Sequence, residues 1–338
     1  MDGKITKIIT ESGAVVEASS PVIISASRVT DIPAFFSRWF INRLQAGYCV
    51  TYNRHNNKPE YISFDKCKVV VFWTKNPKPL IPLLNELDNR GIHYYFQFTL
   101  NDYSPEGFEP NVPDLEQRVE IFRQLSNKIG KESVIWRYDP FIISPQLPVS
   151  TLLERVKKIG DLLRGSTEKL VFSFVDLFPH LSDNTLINAE IKKERMQEIA
   201  EGLSHYRDDW ANEGWPLHLA TCAEQIDLQS LHIEHNRCID EELMKRIWSE
   251  DKMLMYYLNF GKLPDNNSFN ITNPNQLSAN ELKDPLQRLL CGCMVSKDIG
   301  MYNTCQHFCV YCYANKSNDL VKENKKKHDA NNECMIKQ

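Results

Sequence analysis

The chain has 338 residues, 42% of them hydrophobic and 25% charged, with a net charge of −4 and a pI of about 6.2. These proportions belong to a globular protein with a sizeable core, and the slight acidity excludes any global electrostatic pull toward nucleic acid or an anionic membrane, leaving only a local basic surface to recommend a nucleic-acid partner. Ten cysteines, with no export-like leader and no run of eighteen apolar residues, point to reduced thiols and metal ligands in the cytoplasm and away from disulfides or a membrane span.

Residues 1–21 read as an N-terminal hairpin, Lys4 to Ala18 alternating weakly around Glu11-Ser12-Gly13. Val22 to Ser27 is a short β-type run. Asp31 can then cap and Pro33 start a helix with Phe36, Phe40 and Leu44 on its apolar face, stopped by Gly47. The strand–helix unit repeats: Val69–Trp73 before the amphipathic LIPLLNELDNRG, Tyr94–Leu100 before the helix Asp114–Ile129, and Val134–Tyr138 before the helix Val149–Leu163. Leu170–Val175 then precedes the helix Lys192–His205, and Leu217–Thr221 comes next. This rhythm predicts an α/β fold with a parallel sheet and outer helices, a single (β/α) TIM-like barrel, partial or full, over residues 22–328.

Polar residues recur at or just beyond the predicted strand ends: Ser27 and Arg28, Thr74 and Lys75, Gln97 and Thr99, Arg137 and Asp139, Ser173 and Asp176, Thr221 and Glu224. In a barrel those ends meet at one mouth, where ligands bind. Taken singly, each reads equally well as a helix cap or a turn residue. Arg137 and Asp139 in WRYDP suit a buried ion pair supporting the mouth.

From about Glu241 to Leu290 the pattern loosens into an irregular excursion, KLPDNNSFNITNPNQLSANELK, closed by a helical DPLQRLL. The segment 291–315, CGCMVSKDIGMYNTCQHFCVYCYAN, then holds five of the ten cysteines. Three of these, Cys305, Cys309 and Cys312, stand at CxxxCxxC spacing with Tyr311 before the last. Three thiolates so close can hold three irons of a [4Fe-4S] cluster and leave the fourth without a protein ligand. Zinc is the rival, since Cys291, Cys293, Cys305, Cys309, Cys312 and His307 could supply a tetrahedral set. The basic run KENKKKHD reads as the solvated face of a last helix, and residues 329–338 as a disordered tail.

The cysteine triplet resembles the signature of the radical SAM superfamily, and DIGMYNTCQHFCVYCYAN is similar to the cluster loop of its spore photoproduct lyase branch. From about Val22 to about His328 the chain resembles the bacterial and archaeal family DUF1848. In radical SAM proteins the loop comes after the first strand, whereas here it comes last. The segment from Lys75 to Tyr138 nevertheless resembles the part of lyase-like relatives that lies just beyond their loop. Circular permutation reconciles the two, with Ser296–Thr304 as barrel strand one, Cys312–His328 as helix one and Val22–Ser27 as strand two. The Gly-Gly-Glu-like motif expected after strand two is replaced by SASRVTD.

The resemblance implies that Cys305, Cys309 and Cys312 ligate the cluster and that S-adenosyl-L-methionine (SAM) chelates the open iron. Tyr311 would line the adenine side, with Ser25, Ser27, Thr74 and Gln97 as further cofactor contacts. It also implies that one electron from a reduced flavodoxin or ferredoxin cleaves SAM to methionine and a 5′-deoxyadenosyl radical, which abstracts hydrogen from an unknown substrate. Lys75, Arg137 and Glu224 are then candidates for carboxylate, phosphate or proton-transfer contacts.

Cys222, Cys238, Cys291 and Cys293 form a second group that suits an auxiliary [4Fe-4S] cluster or a zinc ion, or else buried and unpaired thiols. Cys49, Cys67 and Cys334 are not expected to be ligands. His232 and His235 in HIEH, and His218, read as surface or capping residues. Two other readings stay open: a zinc-stabilised barrel acting as hydrolase or binding module, and a cluster-bearing electron carrier or sensor that does not cleave SAM.

Overall fold

The computed structural model describes residues 4–53, 56–176, 192–264 and 277–337. Most of the irregular excursion expected near 262–283 falls in 265–276, outside the described residues. Two sheets organise the chain. The hairpin β1 (Lys4–Ile9) and β2 (Val15–Ser20) is present as expected and joins two strands the sequence did not announce, β4 (Tyr48–Tyr52) and β5 (Pro59–Ser63), in the order β1-β2-β5-β4.

The larger sheet carries β3 (Ile23–Ala26), β6 (Val69–Thr74), β7 (His93–Thr99), β8 (Val134–Phe141), β9 (Lys169–Phe174), β10 (His218–Thr221), β11 (Glu234–His235) and β12 (Lys297–Asp298). Its eight strands run in the order β11-β10-β9-β8-β7-β6-β3-β12, and every registered pair is parallel. The fold is therefore mixed α/β around a large parallel sheet. The edge strand β12 lies beside β3, with Lys297 opposite Ile24 and Asp298 opposite Ser25, so the far end of the chain completes a sheet begun near residue 23.

Continuous apolar runs such as VVVF in β6 arise because both faces of a parallel strand are covered. One face, carrying Val70, Phe72, Phe96, Trp136 and Phe172, packs under α1 (Ile32–Phe35), α2 (Ser37–Ala46), α4 (Leu115–Ile129), α5 (Val149–Leu163) and α6 (Lys193–Asn212). The intervening residues Val69, Val71, Tyr95, Ile135 and Val171 belong to a separate cluster. It is covered by α7 (Glu241–Ile247), α8 (Lys252–Phe260) and the 291–294 segment. The helices come where apolar residues recur at helical spacing. Asp31 caps α1 through the Ala34 amide, and Gly47, in the left-handed region at φ 83°, ends α2.

Several expectations need correction. LIPLLNELDNRG yields only one 3-10 turn (Ile81–Leu83) and the single-turn α3 (Asn85–Asp88). Inside the loosened region, α7 and α8 are regular helices capped by Asp240 and Asp251. DPLQRLL is a series of turns: Asp284 accepts from the Leu286 amide and the Gln287 side chain, offering an alternative to helical bonding, while Leu286 and Leu289 face solvent. A single-turn helix, α9 (Ala279–Leu282), precedes it, and α10 (Asn318–Lys326) carries the basic run.

The stretch 329–337 is packed and is not a disordered tail. Cys334, Met335 and Ile336 are buried, Val50 donates to the Glu333 carbonyl, and Trp39 Nε1 donates to the Asn332 carbonyl at 3.0 Å. The three buried side chains, together with hydrogen bonds from Val50, Trp39 and Arg43 to its carbonyls, tie this segment to α2 and β4. Among the described residues no helix is long and apolar enough to cross a membrane.

Candidate functional site

Residues at the carboxyl ends of the parallel strands converge on one cavity of about 510 Å³. Ser27 and Arg28 after β3, Thr74 and Lys75 at the end of β6, and Thr99 of β7 line it. So do Arg137 and Asp139 of β8, Ser173 of β9, Asp176 beyond it, and Cys222 just past β10. Both cysteine groups open onto this space, with Cys305, Cys309 and Cys312 among its lining residues together with Cys222, Cys238, Cys291 and Cys293.

The trio sits on the loop between β12 and α10. Burial pushes the Cys305 thiol up to about 12, with Cys312 adding to the shift. Burial likewise raises Cys309 far above its ordinary value, and it raises Cys312. Beside them, Lys75 Nζ donates to Glu109 Oε1 at 2.7 Å and to Tyr311 Oη at 3.1 Å, and the Tyr311 hydroxyl donates to Glu109. Burial opposes the Glu109 charge, yet Lys75 and Arg118 outweigh it and push its pKa down to about 2. Burial also opposes the Lys75 charge, and Glu109 more than restores it.

The loop is held by two carboxylates whose roles the sequence does not reveal. Asp31 accepts from Thr74 Oγ1 at 2.8 Å, the Lys75 amide at 2.7 Å and His307 Nε2 at 2.8 Å. Asp298 accepts from Ser25 Oγ at 2.6 Å, Ser27 Oγ at 2.7 Å, the Arg28 amide at 2.9 Å and the Gly300 amide at 2.8 Å. Gly300 is required here, because a Cβ would stand 1.9 Å from Ser27 Oγ. In the sequence Asp31 reads only as a cap, and neither Asp298 nor Glu109 carries a local signal.

The second group is assembled from the end of β10, the turn after β11 and the CGC segment. Cys222 Sγ and Cys238 Sγ lie 3.7 Å apart, and Cys293 Sγ accepts from the amides of Cys238 at 3.1 Å and Ile239 at 3.4 Å. Cys238 Sγ also accepts from Arg137 Nη1 at 3.1 Å and Asn236 Nδ2 at 3.3 Å. Hydrogen bonds from Cys222 and Cys293 hold the Cys238 thiol well below its ordinary value, with Arg137 and Arg28 helping against burial. A hydrogen bond from Cys293 brings Cys291 to about 7.

The remaining predicted residues divide. Arg137 pairs with Asp139, Nε to Oδ2 at 2.9 Å, and also donates to Gln97 Oε1, so the ion pair expected in WRYDP is present. Gln97 does not line the cavity; it donates to the Cys238 carbonyl at 3.0 Å and buttresses that turn. Ser25 is buried on Asp298, also outside the lining. Glu224 stands outside it too, accepting from the Phe174 amide at 2.9 Å, its pKa raised to about 7 by burial. His218, His232 and His235 lie toward the surface, away from the cavity lining. Cys49 and Cys67 are buried in the helix-covered core, and Cys334 packs with Tyr48 and Val50.

Among the described residues no group of three or more His, Cys, Asp or Glu side chains is already drawn together as a formed metal site. The sulfurs of either group would have to close around a metal by side-chain rotation. The donor sets fit that demand: three thiols on one short loop and four from three segments, in a buried space where a bound cation would offset the cost of ionising them.

The family model described as Domain of unknown function (DUF1848) matches residues 23–314. No curated protein matches the chain.

Proposed function

The chain belongs to the DUF1848 family, and for it we propose a radical SAM-type iron–sulfur enzyme whose barrel, partial or closed, is circularly permuted so that the cluster loop comes late in the chain. The observation that carries this reading is the presence of Cys305, Cys309 and Cys312 together on one loop lining the cavity into which the parallel strand ends point. Ligands of α/β sheets bind at carboxyl strand ends, and a space of this volume suits a small-molecule cofactor with a substrate beside it. The pairing of β12 with β3 supports the permutation, since it seats the loop next to the strand that opens the sheet.

In this reading Cys305, Cys309 and Cys312 hold a [4Fe-4S] cluster, which when bound with SAM and reduced by flavodoxin or ferredoxin supplies radical initiation. The chain's own part is to bind and orient. Lys75, fixed by Glu109 and Tyr311, presents an ammonium toward the cavity beside Cys309. Ser27, Thr74 and Arg28 line the wall left without the Gly-Gly-Glu-like motif. Arg137, anchored by Asp139, offers charge to an anionic substrate group.

The test is anaerobic purification and reconstitution, then iron and sulfide counts and assay with SAM and a strong reductant. The reading expects a brown protein that forms 5′-deoxyadenosine. A cluster that leaves SAM intact would make the protein an electron carrier or sensor, and a colourless protein with zinc alone would return it to a hydrolase or binding module.

A further inference from the structure

We propose that Cys222, Cys238, Cys291 and Cys293 form a second metal centre, mononuclear and of the zinc tetrathiolate type, on the wall of the same cavity that the cluster loop lines. The inference does not depend on the radical SAM reading, because it uses four other sulfurs.

Sulfur spacing selects the metal. Two thiolates on one tetrahedral zinc, each about 2.3 Å from it, stand about 3.8 Å apart. The Cys222–Cys238 separation is 3.7 Å. In a four-iron cluster each cysteine caps a different iron, one bond further out, so its ligand sulfurs lie well apart. One pair of the quartet thus already stands at the separation that two ligands of a single ion have, and Cys291 and Cys293 would complete the set by side-chain rotation.

The surroundings are those of thiolates and not of a plain thiol core. A neutral thiol is a weak acceptor, whereas metal-bound thiolates collect N–H donors that fix them. Here the amides of Cys238 and Ile239 aim at Cys293, and a guanidinium and an amide side chain aim at Cys238. Arg28, whose charge also lies against Cys238 and Cys293, has Nη2 buried without a hydrogen-bond partner among the described residues. A buried guanidinium calls for anionic partners, which four thiolates on a divalent ion provide with negative charge to spare. The ligands come from the β10 end, the turn after β11 and the strap at 291–293, so the ion would pin that strap across the sheet face it covers.

The test compares full-length protein with a Cys305→Ala/Cys309→Ala/Cys312→Ala variant, both purified anaerobically from cells supplied with zinc and iron. About one equivalent of zinc per chain should persist in the triple variant after its iron is lost. Growth on cobalt should give that variant the thiolate-to-cobalt charge-transfer intensity of a four-sulfur site. Adding Cys238→Ser should reduce bound zinc at least tenfold, while Cys67→Ser should not. Iron persisting at about four per chain in the triple variant would mean a second cluster and overturn the proposal. So would a triple variant with neither metal, or zinc that survives Cys238→Ser. Should the Cys238→Ser chain not fold, zinc content and the cobalt spectrum of the triple variant decide alone. Loss of iron chemistry in the parent with zinc intact would instead count against the cluster reading.

Discussion

The two cysteine groups face one cavity yet are built differently. The trio lies within eight residues, from Cys305 to Cys312, and its thiols are all driven upward by burial. The quartet is gathered from segments up to 71 residues apart in sequence (293 − 222) and is tied to two guanidiniums and a set of amides. A contiguous loop can present sulfurs to a cofactor that arrives from outside. A tertiary cluster is part of what holds the fold. Removing a member of each group should therefore have opposite signatures.

The largest expected effect is on cofactor content. Cys309→Ala should lower iron to near background while circular dichroism and the melting temperature hardly change, and unchanged iron in that variant would sink the distinction. Cys238→Ser should do the reverse. It strips one hydrogen-bond partner from Arg137, which keeps Asp139 and Gln97, a loss of about 1–3 kcal/mol, and urea unfolding should register it with iron retained. If both variants melted alike, the groups would not differ in structural weight.

A third variant probes the charges beside the trio. Glu109 has its folded pKa pushed down to about 2 from an ordinary 4.5, so between those values the unfolded chain binds more protons. Its stabilising contribution is therefore fully present above about pH 4.5 and is lost as pH falls through 2. Lys75→Met removes the nearest counter-charge. Acid unfolding should then begin at higher pH, and neutral stability should fall by roughly 3 kcal/mol. Urea midpoints measured against pH would show it, and an unshifted acid limb would mean that Arg118 alone sustains the carboxylate. The smallest effect expected is from Gly300→Ala, where the new Cβ must displace Ser27 from Asp298. A cost of about 1–3 kcal/mol should appear in thermal melts, with loosened cluster binding if the loop moves with it.

How far all this could be read from residues alone obeys the same division between local and distant. The helices at 115–129 and 149–163 were legible because a long amphipathic repeat leaves a period of 3.6 in the sequence. The strand ends were legible because a polar residue stands at or near the close of six parallel strands, as Ser27, Thr74, Thr99, Asp139, Ser173 and Thr221 do. β4, β5, α7 and α8 were not, since short elements carry too few repeats. Asp31 and Asp298 escaped because their partners lie up to 276 residues away, and no window of sequence holds both ends of such a bond. Glu109 looks like one more surface acid in YSPEGFEP until Lys75 and Tyr311 close over it.

The bond between Ser25 and Asp298 spans 273 positions of chain. A ribosome making this protein must therefore finish the other seven strands of the sheet before β12, the outer neighbour of residue 25, exists, and Cys305, Cys309 and Cys312 emerge only after that. Insertion of the proposed cluster would then be a late step in biogenesis, performed on a scaffold whose other parallel strands are already made. Translation stalled before residue 297 would release a chain with an unpaired sheet edge, a template for aggregation, and in the cell such fragments should be found with chaperones or proteases.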